Sequence, residues 1–225
     1  MAVIEDASTG TTQAVGATTA SPAHATLKPV PYETLGHYRF AGVTGAIAAG
    51  AAANSEVLQL RWTDSSRFCL VHQIRITGLR ATTAFAAGTI DIKATIARSF
   101  TASGTGGTAV TLTGDNQQMR TSMGASLVGD LRIATTAALG AGTKTLDTQD
   151  VGIIVTHSSA GPFAATPIIG QQYLPTDVLY QCDFGRGEHP IMLAQNEGVV
   201  VRATVPGTGV WNIGVEIVWS EVTAF

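Results

Sequence analysis

Five histidines and two cysteines are the side chains here most able to hold a metal or act as nucleophiles, and none has useful spacing. His24, His37, His72, His157 and His189 fall in no HxH, HExxH or HxxxH pattern, so no element carries a ready set of metal ligands. His72 lies on the apolar face of a strand pattern and reads as a hydrogen-bonded core histidine. Glu188 and His189 form the one close acid–imidazole pair, in a turn before Pro190. Cys69 and Cys182 stand in apolar surroundings with no CxxC, as expected of buried free thiols that pack like small hydrophobes. A disulfide between them requires their strands to pair, and a cytosolic origin argues against it.

Other catalytic patterns fail in the same way. No GxSxG elbow presents a serine. Gly104–Gly107 reads GTGG but lacks the GK[ST] ending and the strand-to-helix context of a phosphate loop. Asp147 and Asp150 are close in sequence without an acidic cluster around them, which suits a solvated turn. The expectation is a non-enzyme with no catalytic, cofactor-binding or metal residue and no cofactor.

Any site must then be positioned by strands. Near the C-terminus, Val199, Val201, Ala203 and Val205 alternate with Arg202 and Thr204. Trp211, Ile213, Val215, Ile217 and Trp219 alternate with Asn212, Glu216 and Ser220. Period two is the signature of a half-buried strand. Pro206-Gly207-Thr208-Gly209 supplies turn residues between them, predicting a long hairpin with two tryptophans on its inner face. Upstream, strands are predicted at Gly36–Phe40, Val57–Thr63, Phe68–Thr77, Thr89–Phe100, Val151–His157, Pro167–Tyr173 and Val178–Phe184. In the third of these strands, Leu70, His72, Ile74 and Ile76 are expected to share the inner face. In the fourth, Ile90, Ile92, Ala94 and Ile96 are expected inside. About eight strands suit an all-β, two-sheet sandwich of jelly-roll type.

Two segments break the rhythm. Residues 1–35, rich in Thr, Ala, Gly and Pro, read as an extended N-terminal arm, ordered by lying along a neighbouring subunit. Within the domain at 36–225, residues 101–147 form a long excursion of short β-prone pieces between Gly/Ser/Thr turns, expected on one end of the sandwich. Loops this long in compact domains tend to be functional, so partner contacts are expected there.

The totals narrow the class. The 225 residues are 45% hydrophobic and only 13% charged, against roughly 25% charged in ordinary proteins. A surface so poor in charge suits a subunit packed on several sides. The net charge is −3 with no Lys/Arg cluster, which argues against nucleic-acid binding through a basic patch. No apolar run reaches the roughly 18 residues of a membrane helix. The N-terminus lacks a basic region followed by an apolar core, so synthesis and assembly in the cytosol are expected. Ten arginines against three lysines fit interfaces, where a planar guanidinium binds carboxylates and stacks on rings.

The stretches ARSFTASGTGGTAVTLTGDNQQMRTSMGASLVGDLRIATTAALGAGTKTLD and NEGVVVRATVPGTGVWNIGVEIVWSEV resemble small structural proteins of tailed bacteriophages and prophages. The resemblance covers Gly36–Phe225 and lies in the style of sequence rather than in a catalytic motif. It implies a β-sandwich virion component: a capsid decoration or cement subunit, often a homotrimer, with the major capsid protein as partner; charge and hydropathy add the expectation of neither nucleic acid nor membrane. The alternative is a neck or tail fibre, or a receptor- or carbohydrate-binding module, for which Phe85, Phe163 and Tyr173 are the candidate sugar-stacking rings.

Overall fold

Alternating apolar and polar residues dictate strands, and strands are the only long elements among the residues that the computed structural model describes. It describes residues 2–5, 12–15, 36–48, 53–119, 123–158, 171–174, 177–183 and 186–223. The chain divides into Met1–Val30 and Pro31–Phe225. In the first unit, β1 (Ala2–Glu5) and β2 (Thr12–Val15) pair antiparallel, Ala2 opposite Val15 and Glu5 opposite Thr12. The rest of the expected arm lies outside the described residues.

The second unit contains β3 (Gly36–Val43), β4 (Ser55–Trp62), β5 (Phe68–Thr83), β6 (Gly88–Ala102), β7 (Thr108–Ala109), β8 (Val128–Ile133) and β9 (Thr143–Leu146). These are followed by β10 (Gly152–Ser158), β11 (Gln171–Leu174), β12 (Asp177–Gln181), β13 (Ile191–Leu193), β14 (Glu197–Thr204) and β15 (Val210–Val222). Of the strand expected at Pro167–Tyr173, the part before Gln171 lies outside the described residues. So does Phe184.

These strands form two antiparallel sheets packed face to face. The front sheet runs β3-β15-β5, and β11, β12 and β13 tile the far edge of β5 in turn. The back sheet runs β10-β6-β14-β4-β8-β7, with β9 also on β6. Taking β7, β8, β9, β11 and β13 aside, the first strand pairs with the last (β3 with β15) and the second with the next to last (β4 with β14). Inside these, β5 pairs with β12 and β6 with β10. This is the jelly roll: a folded ribbon of strand pairs rolled into two sheets. The excursion is an insertion between β6 and β10. Its β8 extends the back sheet beyond β4, and its β9 returns to β6.

The core lies between the sheets. Trp62 enters it from the back sheet and Trp211 and Trp219 from the front, all at 0% exposure. Tyr38 stacks on Trp219 with ring centroids 5.6 Å apart.

The structure departs from two expectations. First, the C-terminal pair is not a hairpin: β14 pairs with β4 and β6, and β15 with β3 and β5. The chain crosses between sheets at the turn, where Gly209 takes φ 99°. A connection this long can span the roughly 10 Å between packed sheets, and crossing lets the two apolar faces bury each other. Second, β5 does not keep one face throughout. Against β15 its register skips His72, Thr77 and Thr82, one bulge every five residues. A bulge adds a residue and restarts the alternation. Thus Cys69, Val71, Ile74, Ile76, Leu79 and Ala81 all reach the core, while Leu70 and His72 turn to the sheet's other face beside Ser220 and are buried there. In β6, Ile90, Ile92 and Ala94 point inward as expected, with Ile96 half-buried.

Candidate functional site

A buried polar cluster lies on the outer side of the back sheet, where a bulge in β4 creates it. Opposite β14 the register passes from Leu58 to Glu56 and skips Val57. Val57 and Leu58 are then both in the core, and Glu56 and Gln59 share the outer face. Insertion backbone covers them. Gly104 N–H donates to Gln59 Oε1 at 2.9 Å, and Gln59 Nε2 donates to Gly140 O at 2.8 Å and to Glu56 Oε2 at 2.5 Å. Lys144 Nζ lies 2.9 Å from the same Glu56 oxygen, with its side chain only 3% exposed. It also bonds Ala141 O and sits 4.8 Å from the centre of the Phe100 ring. Phe100 joins Ala97, Val200 and Leu146 in a second apolar cluster on this outer side. The left-handed backbone of Ser99 (φ 49°) puts Phe100 on the same face as Ala97.

The front sheet has a different outer side. Glu216 is buried beneath Arg39 at 2.6 Å and Arg75 at 4.0 Å. Further along the sheet Arg80 donates to Asn212. A shallow groove of about 410 Å³ follows, floored by Gly78 and Gly214 and flanked by Val43. One end of this sheet is strapped by the insertion. Arg39 N–H donates to Gln117 O and Met119 N–H to His37 O, closing the free edge of β3. The strap is held by Glu221, whose buried carboxylate accepts from Ser126 Oγ (2.7 Å), Leu127 N–H (3.0 and 3.1 Å) and Trp219 Nε1 (3.3 Å). Burial raises its pKa against the pull of these donors. Burial and then Glu221 push Tyr38 up to about 12 and Cys69 well above its usual value.

The candidates from sequence are dispersed. His37 and His72 meet edge to face with centroids 5.9 Å apart, and His72 Nε2 lies 2.7 Å from Ser220 Oγ. Burial, then His37, lowers the pKa of His72 to about 4. His157 and His189 are exposed elsewhere, and His24 lies outside the described residues. Cys69 and Cys182 are buried free thiols; Cys182 Sγ donates to Glu188 O. No group of three His, Cys, Asp or Glu able to hold a metal occurs among the described residues. Asp147 and Asp150 are not a solvated turn pair. Asp147 is gripped by Arg98, which also binds Glu197. Asp150 accepts from Arg202 at 2.7 Å and Thr95 Oγ1 at 2.5 Å. Gly104–Gly107 is folded against Gln59 and Gly140. Phe85 is buried in the core and offers no face to a sugar. Phe163 and the Tyr173 side chain lie outside the described residues.

Sequence reading missed Glu56, Gln59, Lys144 and Glu221. The signals were present for the first three. SEVLQLRW puts two apolar residues side by side between two polar ones, which is how a bulge reads. Lys144 is one of three lysines, set in a Gly/Thr-rich stretch. In comparisons with known proteins, no family model, curated sequence or solved structure matches the chain. The fold and these contacts define its class, an antiparallel jelly-roll sandwich with a pinned insertion.

Proposed function

We propose that the chain is a non-enzymatic structural subunit of a bacteriophage particle, a decoration or cement protein that binds the outer shell as a homotrimer. The observation that carries this reading is the edge strand β10. It closes the back sheet, and its Ile153 and Val155 are 54% and 61% exposed. Open edges with exposed apolar residues are usually blunted by charge or proline; left as they are, they suit a neighbouring subunit. The low overall charge and the resemblance to phage structural proteins agree with it. Partners are the major capsid protein and further copies of the chain.

The test is the copy number in purified particles, by quantitative mass spectrometry against the major capsid protein. A simple fraction of the capsid count is expected. A copy number of a dozen or so would transfer the chain to the neck or tail, and absence from particles would overturn both. An Ile153→Lys/Val155→Lys double variant should remain folded, because exposed substitutions cost little, and should lose particle occupancy.

A further inference from the structure

The geometry points to a self-catalysed isopeptide bond between Lys144 Nζ and Gln59 Cδ, with Glu56 as proton carrier. Three reacting groups meet in one buried place. One carboxylate oxygen, Glu56 Oε2, contacts both the Lys144 amine at 2.9 Å and the Gln59 amide nitrogen at 2.5 Å. The nucleophile and the leaving group therefore sit side by side around one base. The amide orientation is fixed by its other partners, since Gly104 N–H can only donate to Oε1 and the Gly140 carbonyl can only accept from Nε2. Gly104 N–H thus faces the oxygen on which charge develops during attack. Gln59 is 1% exposed, the Lys144 side chain 3%, and the Phe100 ring beneath them is fully buried. Water is thereby kept from competing with the amine.

The step balances without a co-reactant. Glu56 takes a proton from the Lys144 ammonium, and the freed amine attacks Gln59 Cδ. The Nζ–Cδ bond forms, and the tetrahedral centre collapses by breaking Cδ–Nε2. The two protons shed by Lys144 leave on the departing nitrogen as ammonium, and Glu56 ends as the carboxylate it began as. The product ties the insertion to β4 covalently and removes a buried ammonium, whose desolvation otherwise offsets most of what an ion pair contributes.

The test is the intact mass of the purified full-length chain under denaturing conditions, after incubation at neutral and mildly alkaline pH. The expected mass is the sequence value less one ammonia. Trypsin should fail to cut at Lys144 and should yield Phe40–Arg61 joined to Ile133–Arg186. Glu56→Gln and Lys144→Arg should both keep the full sequence mass, with circular dichroism reporting their fold. Full mass in the wild-type protein overturns the proposal whether or not the variants fold. Loss of water instead of ammonia puts the bond on the Glu56 carboxyl and overturns the role given to Gln59. Ammonia loss that persists in Lys144→Arg overturns it as well.

Discussion

The outer sides of the two sheets differ in what covers them. On the back sheet, polar side chains are roofed by insertion backbone: Gly104 and Gly140 cap Gln59, and Lys144 is sealed over Phe100. On the front sheet the comparable side chains stand under solvent: Arg39, bonded to the strap only through its backbone, is 44% and Arg75 33% exposed above Glu216. Each side has a carboxylate held by a cation, yet the two pairs sit in different dielectrics. A charge pair is worth little where water competes, and its loss is costly where a partner is left charged and buried. The same residue types therefore act as a structural pin on one sheet and as ordinary surface on the other.

The largest expected effect lies on the roofed side. Glu56→Ala keeps Lys144 as a buried ammonium without its carboxylate and, on the bond proposed above, unlinked to Gln59, which loses an acceptor. We expect about 3–5 kcal/mol of destabilisation, read as a shifted midpoint in guanidinium titration. A loss under about 1 kcal/mol would mean that water reaches Lys144, and the contrast between the two sheets would fail.

The strapped end of the front sheet lies between these extremes, and pH separates it from both. His72 titrates near 4 in the folded protein, well below its ordinary 6.5. Its folded pKa is depressed, so its contribution is present above pH 6.5 and is lost as pH falls toward 4, where the unfolded chain binds the proton first. His37 is shifted in the same direction by burial. The raised Glu221 acts oppositely: the folded state holds its proton more tightly, so its contribution fades as pH rises through the carboxylate range. Near these groups stand Cys69 on β5, Tyr38 on β3 and Arg67 before β5. Wild-type stability should fall by on the order of 2–3 kcal/mol between pH 7 and pH 4.5 on account of His72. His72→Gln should flatten that part of the profile. An unchanged slope in the variant would place the acid sensitivity elsewhere.

What the sequence could show follows the same division. Where a strand alternates cleanly, as in Trp211–Trp219 or Ile90–Ala94, its inner face was legible and the sandwich followed. Bulges were less so, because an extra residue at His72 or Val57 is indistinguishable from ordinary alternation until a partner strand fixes the register. The mistaken hairpin has a related cause: Pro206–Gly209 signals a turn, but turn residues do not say whether the next strand pairs beside the last or crosses to the other sheet. The back-sheet cluster depends on contacts such as Gly104 and Gly140 to Gln59, 45 and 81 residues apart in sequence, which no local pattern encodes. Glu221 looked like one more polar position near the chain end until the strap was seen over it.

The smallest expected effect lies on the open face, and it defines the lower end of the comparison. Arg39 and Glu216 bond at 2.6 Å with the arginine half in water. A double-mutant cycle with Arg39→Gln and Glu216→Gln should return a coupling of about 0.5–1 kcal/mol. Arg75 remains beside residue 216 in every corner of the cycle, so its contribution cancels. Raising the salt from about 0.05 to 0.5 M should shrink the coupling further, since exposed charges are screened within a Debye length. The destabilisation caused by Glu56→Ala should barely respond to the same salt, because ions cannot enter beneath the insertion. If the Arg39–Glu216 coupling instead reached several kcal/mol and resisted salt, the front face would have to be covered in solution. A second copy of the chain seated on the groove beside Val43 would then be the first occupant to look for.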